Sequence, residues 1–142
     1  MAVRYLLDTN ICSYIRRQRP AGILEHFRRL SPGEAAISVI TFGELNYGAE
    51  KSLSPVEAGK QLRNLVSVLP VLALPVEAGH AYGEIRADLE KRGEIIGGND
   101  LWIAAHAVAS DFILVTNNER EFRQVRGLKF ENWASNPPTV GG

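Results

Sequence analysis

The sequence predicts an α/β fold: a mainly parallel sheet of four or five strands, covered by helices on both faces. Two patterns carry that expectation. Short, nearly all-apolar runs recur at 3–7, 35–40, 71–74 and 112–115, and the segments between them repeat their apolar residues at helical spacing. A strand covered on both faces reads as a continuous apolar run, whereas one with a wet face alternates. Strands that alternate with helices pair in parallel. A length of 142 residues suits one domain. That domain is expected over 1–134, with the tail 135–142 (SNPPTVGG) frayed.

Each element has a local reason. Residues 3–7 (VRYLL) form a strand that ends at Asp8. Residues 10–17 and 21–30 read as helices divided by Pro20, the second closed by Ser31-Pro32-Gly33. The second strand is 35–40 (AAISVI), and a helix begins near Thr41. Ser54-Pro55-Val56-Glu57 has the form of a helix start, with a hydroxyl cap, proline first and glutamate third, and that helix runs to about 66. Residues 71–74 (VLAL) lie between Pro70 and Pro75 as a third strand. A long amphipathic helix over 77–92 stops at Gly93. After Gly97-Gly98, Asn99 is placed to cap a helix opening at Asp100. Residues 112–115 (FILV) are the fourth strand, and 128–130 a candidate fifth.

Composition narrows the class. The 45% apolar and 23% charged content is that of a globular chain and excludes a disordered or low-complexity one. A single cysteine, Cys12, excludes an internal disulfide framework and a multi-cysteine zinc site. It also suits a reducing compartment. No run approaches a membrane span and the start is no signal peptide, so a soluble, cytoplasmic protein is expected. Sixteen basic and sixteen acidic side chains cancel, but unevenly: 1–71 carries 9 and 6, and 72–142 carries 7 and 10. Five arginines crowd 16–29 against Glu25 alone. That cluster is either a solvated helix face or a patch for phosphate, which guanidinium groups grip two oxygens at a time.

In open parallel sheets ligands bind beyond the carboxyl ends of the strands. Asp8 follows the first strand, Glu44 lies in the first turn after the second, Asp100 opens a helix, and Asn117 and Asn118 follow the fourth. Three carboxylates thus reach one crevice from separate loops that hold no cation to match them. Like charges held together need a proton or a cation between them, and a sparse set of carboxylates is what Mg²⁺ or Mn²⁺ accepts while keeping waters. A phosphate-cradling loop would place glycines after the first strand, where this chain has Asp8-Thr9-Asn10. Simpler readings stand beside this one. Thr41-Phe42-Gly43-Glu44 fits a capping box, and Asp100 suits the positive end of its helix. Asp8, ending a buried strand, needs partners in any case. His26, His80 and His106 fall in separate helical segments, with His106 about 120° around the axis from Asp100. They read as core or surface residues, as do Trp102 and Trp133. Cys12 reads as a small buried apolar group.

The blocks YLLDTNICSYI, SVITFGELNYGAEKS, IGGNDLWIAAHAVASDFILVTNNEREF and GLKFENW, in that order from about residue 4 to 133, resemble the PIN-domain ribonucleases. Within them they resemble the VapC toxins of bacterial type II toxin–antitoxin modules. The resemblance implies a three-layer α/β/α sandwich and endonucleolytic cleavage of structured RNA, such as tRNA or rRNA loops, dependent on Mg²⁺ or Mn²⁺. It also implies silencing by a cognate VapB antitoxin, and a homodimer within a toxin–antitoxin hetero-oligomer, for which the apolar helices around 37–50 and 54–69 are candidate surfaces. The family's acidic residues map onto Asp8, Glu44 and Asp100. Its fourth position maps onto Asn118 in a TNN form that carries no negative charge, with Glu119 as a nearby substitute. On this mapping Asp8 and Asp100 hold the metal, Glu44 completes the negative shell, and Thr9, Asn10 and Thr116 are donors that fix the carboxylates. Water as nucleophile gives 5′-phosphate and 3′-hydroxyl ends. Arg16, Arg17, Arg19, Arg28, Arg29, Arg120 and Arg123 are candidates for phosphate contact, with binding that weakens steeply as salt rises. Two other readings remain. One is a haloacid-dehalogenase-like phosphatase, which Asp8-Thr9-Asn10 and the VTN at 115–117 superficially fit, although that class wants a second Asp where Asn10 stands. The other is a non-catalytic PIN-like interaction module.

Overall fold

Leu6 and Leu7 are adjacent, both fully buried, and face opposite sides of the sheet. The two-residue period of a strand requires that, so a strand carrying two buried neighbours must be covered on both faces. In the computed structural model, which describes residues 2–17 and 21–134, this strand is β1 (Tyr5–Leu7) and lies mid-sheet. It is followed by α1 (Thr9–Arg17), α2 (Ala21–Arg28), β2 (Ala35–Ser38), α3 (Val39–Glu50), α4 (Pro55–Val66) and β3 (Val71–Leu72). The second half comprises α5 (Val76–Arg92), α6 (Gly98–Ser110), β4 (Ile113–Val115), α7 (Glu119–Phe122) and β5 (Lys129–Glu131). Arg19, Pro20 and the expected tail 135–142 lie outside the described residues.

All strand pairings are parallel, in the order β3-β2-β1-β4-β5, with Tyr5 opposite both Ala35 and Ile113. Leu6 and Leu114 pack with Ile85, Ile103, Ala104 and Phe122 under α5, α6 and α7. Leu7 and Val115 pack with Ile11, Ile23, Leu62 and Trp133 under α1, α2 and α4. These two cores flank the sheet and make the three layers. The chain leaves β1 toward β2 and β3 on one side and returns through β4 and β5 on the other. The crevice of this topology therefore opens beyond the carboxyl ends of β1 and β4. Among the described residues no helix is long and apolar enough to cross a membrane.

Element boundaries differ from expectation where short polar side chains take over the backbone. β2 stops at Ser38 rather than residue 40, because the Ser38 hydroxyl accepts the Ile40 N–H at 3.1 Å and starts α3 two residues early. Thr41 is therefore inside the helix, buried, with no hydrogen-bond partner for its hydroxyl among the described residues, and the Thr41–Glu44 capping box does not form. Pro55 does sit in the first turn of α4, but Ser54 makes no side-chain cap. Gly97 rather than Asn99 precedes α6, in extended backbone and without a side-chain cap, which puts Asp100 third in the helix. Gly93 ends α5 as expected, at φ 69, a left-handed conformation in which glycine is least strained. His106 is buried and shares a 3.0 Å hydrogen bond with Ser38, and burial holds its pKa below the usual histidine value. It is a core residue that clasps α6 to the end of β2.

Candidate active site

Asp8 is 5% exposed at the end of β1. It is also the N-cap of α1: its Oδ1 accepts the Ile11 N–H at 3.0 Å and its carbonyl accepts the Cys12 N–H at 3.1 Å. Burial pushes its carboxyl up to about 6, with Glu44 adding to the rise, while hydrogen bonds from Thr116 and the Ile11 and Asn10 backbones hold it lower. The Thr116 hydroxyl has a second role, accepting the Asn118 N–H at 2.9 Å. Glu44, one turn into α3, accepts the Thr9 hydroxyl at 2.6 Å, so the first turn of α1 grips a carboxylate carried by another element. Asp100 is pushed up to about 7, first by burial, then by a hydrogen bond shared with Glu121, then by the charges of Glu121, Asp8 and Glu44. Those interactions bring four carboxyl groups from β1, α3, α6 and α7 to one end of the sheet.

Glu121 is the residue that sequence reasoning missed. Four residues after β4 the chain makes a single helical turn, α7, which points Glu121 back at Asp100. Asn118, expected to occupy the fourth acidic position itself, instead donates through Nδ2 to Glu121 Oε2 at 3.0 Å. An amide is the better aiming device because it can donate to a carboxylate, which another acid cannot do while ionised. Glu119 faces away: its Oε2 accepts Asn132 Nδ2 at 3.0 Å. Asn10 reaches Asp8 through its backbone alone, and its side chain is exposed. The signal for Glu121 was the EREF run itself, legible only once the turn after β4 is known to be helical.

The arginines divide between the two edges of the sheet. Arg16 on α1, Arg120 on α7 and Arg123 at the end of α7 are exposed on segments that begin at the acidic edge. Arg17 lies over the Tyr14 ring at 5.2 Å. Arg28 lines a hollow with Gly33, Ala35 and Pro70, at the amino ends of β2 and β3. α2 must run back to that edge to feed β2, so it carries Arg28 and Arg29 away from the carboxylates. Arg19 is not among the described residues.

Among the described residues no Lys, Arg or His forms an ion pair with Asp8, Glu44, Asp100 or Glu121. A set of oxygen-only donors, mutually repelling and lacking an internal cation, fits a hard divalent ion. No three His, Cys, Asp or Glu side chains among the described residues already stand at chelating distance. Mg²⁺ does not require it, since it binds through one or two carboxylates and keeps its waters. Cys12 takes no part: it is fully buried and burial pushes its thiol up.

Residues 5–128 match the PIN domain. Ribonuclease VapC2 of Haemophilus influenzae is 45% identical over 132 residues, covering 92% of this chain and 98% of that protein. The tRNA(fMet)-specific endonuclease VapC of Shigella flexneri is 41% identical, covering 93% and 99%. Among solved structures, VapBC2 from Rickettsia felis bound to a promoter DNA fragment superposes with a TM-score of 0.86 at 39% identity, covering 94% of this chain and 99% of that one. The chain belongs to the PIN-domain family, and within it to the VapC ribonucleases. That membership sets aside the haloacid-dehalogenase-like alternative.

Proposed function

We propose that this VapC-type toxin hydrolyses RNA with a divalent ion, Mg²⁺ or Mn²⁺, held chiefly by Asp8 and Asp100. The observation that carries the reading is the convergence of four carboxyl groups from four separate elements with no cation among the described residues to balance them. When bound, the ion lowers the pKa of a water and neutralises charge growing on the phosphate. The chain's own groups do the rest. Thr116 and the α1 backbone fix the Asp8 carboxylate, Thr9 fixes Glu44 where it can orient or deprotonate the attacking water, and Asn118 aims Glu121 at Asp100. Asp100, held beside Glu121, would give up its proton to bind a cation at this edge. Arg16, Arg17, Arg120 and Arg123 are the phosphate contacts of this reading, because their elements begin at the same edge.

The name of the Shigella flexneri relative makes tRNA(fMet) the first substrate to test. The VapBC complex among the structural neighbours supports a VapB-type antitoxin as partner; a toxin homodimer inside that assembly and action in the cytoplasm complete this reading. Incubating a tRNA(fMet) transcript and total cellular RNA with the purified chain and Mn²⁺ is expected to create new 5′-phosphate, 3′-hydroxyl ends that EDTA prevents. Cleavage that survives EDTA overturns the metal reading, and no cleavage of any RNA returns the chain to a non-catalytic module. Glu121 and Glu119 give a sharper contrast. Glu121→Gln is expected to lower cleavage about 10- to 100-fold and raise the Mn²⁺ concentration needed, with Glu119→Gln within about threefold of wild type. Equal losses for the two would put the fourth carboxyl elsewhere.

A further inference from the structure

A cleft of about 310 Å³ leads away from the acidic cluster between α1, α3 and α4, and it shares Thr9 and Glu44 with that cluster. Its walls follow helical spacing. Beyond Thr9, α1 presents Ser13 and Arg16. Beyond Glu44, α3 presents Gly48, the loop after α3 adds Ser52, and α4 contributes Gln61. Residues four or three apart share a helix face, so α1 continues the catalytic edge as a polar stripe and α3 continues it as an open wall. Arg16 stands about 10 Å along α1 from Thr9 and forms no ion pair among the described residues. The Ser52 hydroxyl accepts the Ser54 N–H at 3.1 Å and keeps its own proton to donate.

Gly48 is the least expected residue here. It lies inside α3, where glycine is less stable than alanine, and no crowding requires it: a Cβ there meets nothing within 4 Å. What glycine does supply is an open wall.

We infer that this cleft is a subsite for a nucleotide flanking the cleaved bond, with Arg16 on its phosphate and Ser52 and Gln61 on its base or sugar. The inference rests on the ribonuclease reading above. A strand held at Glu44 must continue past it, and the cleft provides a continuous path. Its volume is at the lower end of small-ligand pockets, which run from roughly 300 Å³. Recognition of single-stranded RNA uses hydrogen bonds to unstacked bases together with phosphate contacts, and the cleft offers a guanidinium, an amide and two hydroxyls. A helix-docking groove wants a stripe of large apolar side chains. Among the described residues, Leu45 is the one large apolar residue lining the cleft.

The test uses the full chain with Mn²⁺ and two probes, a tRNA(fMet) transcript and total tRNA. Gly48→Leu fills the cleft, and leucine favours the helix over glycine, so its melting temperature is expected to equal or exceed that of wild type. It is expected to raise KM about 10- to 100-fold, leaving kcat and the Mn²⁺ midpoint unchanged. Arg16→Gln is expected to move KM in the same direction, and Gly48→Ala to behave as wild type. Wild-type KM in Gly48→Leu overturns the assignment while the nuclease reading stands. So does an unchanged KM coupled with lost capture of the cognate antitoxin, which gives the cleft to a protein partner. A shifted Mn²⁺ midpoint shows the substitution acting on the carboxylates instead, and also overturns it. If wild type cuts neither probe nor any other RNA, the nuclease reading fails first and the subsite falls with it.

Discussion

Asp8→Asn is expected to abolish RNA cleavage without lowering the melting temperature. The two effects separate because Asp8 does two jobs with one side chain. As an N-cap it needs an acceptor oxygen for the Ile11 N–H, and asparagine caps helices as well as aspartate does. As a member of the acidic cluster it needs a negative charge, which asparagine lacks. Losing a charge that helps hold the ion removes roughly 4 kcal/mol of transition-state stabilisation, about 10³-fold in rate. Asp8→Ala is expected to be equally inactive, but loses the cap as well, worth about 1 kcal/mol, and so melts roughly 3 °C below Asp8→Asn. The measurement is kcat/KM on cleaved RNA beside thermal melts in EDTA at pH 8. An asparagine variant that retains a tenth of wild-type activity rules out Asp8 as a charge-bearing ligand. One that melts below the alanine variant contradicts its role as a cap.

The double role of Asp8 also explains what the sequence made legible. Its position at the end of an apolar run was readable because strand period and burial are written in composition, and the same holds for the parallel sheet and for Glu44 and Asp100. The cap function was not, since the run DTN carries no separate sign that the helix begins one residue after the strand. The errors share one cause: short polar side chains choose between competing backbone groups, and that choice depends on geometry. Thr41 is the cap the sequence pattern suggests, and Ser38 takes that role instead because the end of β2 leaves it extended, at φ −72 and ψ 151. The relation of Asn118 to Glu121 was hidden for a related reason. Position after the strand suggested that the amide stands where an acid belongs, and the turn of α7 adds Glu121 beside Asp100 with the amide as its donor. The arginine cluster is divided by topology: contiguous in sequence, it is split when α2 carries Arg28 toward the other edge of the sheet.

Asp8 and Asp100 also set how stability depends on pH, with opposite signs depending on whether a divalent ion is present. In EDTA, Asp8 titrates near 6 and Asp100 near 7 in the folded chain, against an ordinary carboxylate value near 4 when unfolded. Between about pH 4 and pH 7 the folded chain therefore binds more protons than the unfolded one. Stability contributed by these two groups is complete below that window and is lost as the pH rises through it. Ionising Asp8 in the folded chain, raised from 3.8 to about 6, costs ~3 kcal/mol. His106 opposes this in part, because burial holds its pKa below 6.5, so it contributes stability as the pH rises toward 6.5. The Asp88 carboxyl, lowered by its hydrogen bond to Arg92, acts only below the window. Comparing wild type with Asp8→Asn at each pH removes both contributions. In EDTA the asparagine variant is expected to match wild type below about pH 4 and to melt roughly 5–10 °C above it at pH 8. Saturating Mn²⁺ is expected to reverse the order at pH 8, because a ligand that binds only the folded, ionised cluster stabilises it by mass action. If wild type instead gains on Asp8→Asn in EDTA as the pH is raised, a cation within the protein already balances Asp8, and the reason for a metal at this edge of the sheet disappears.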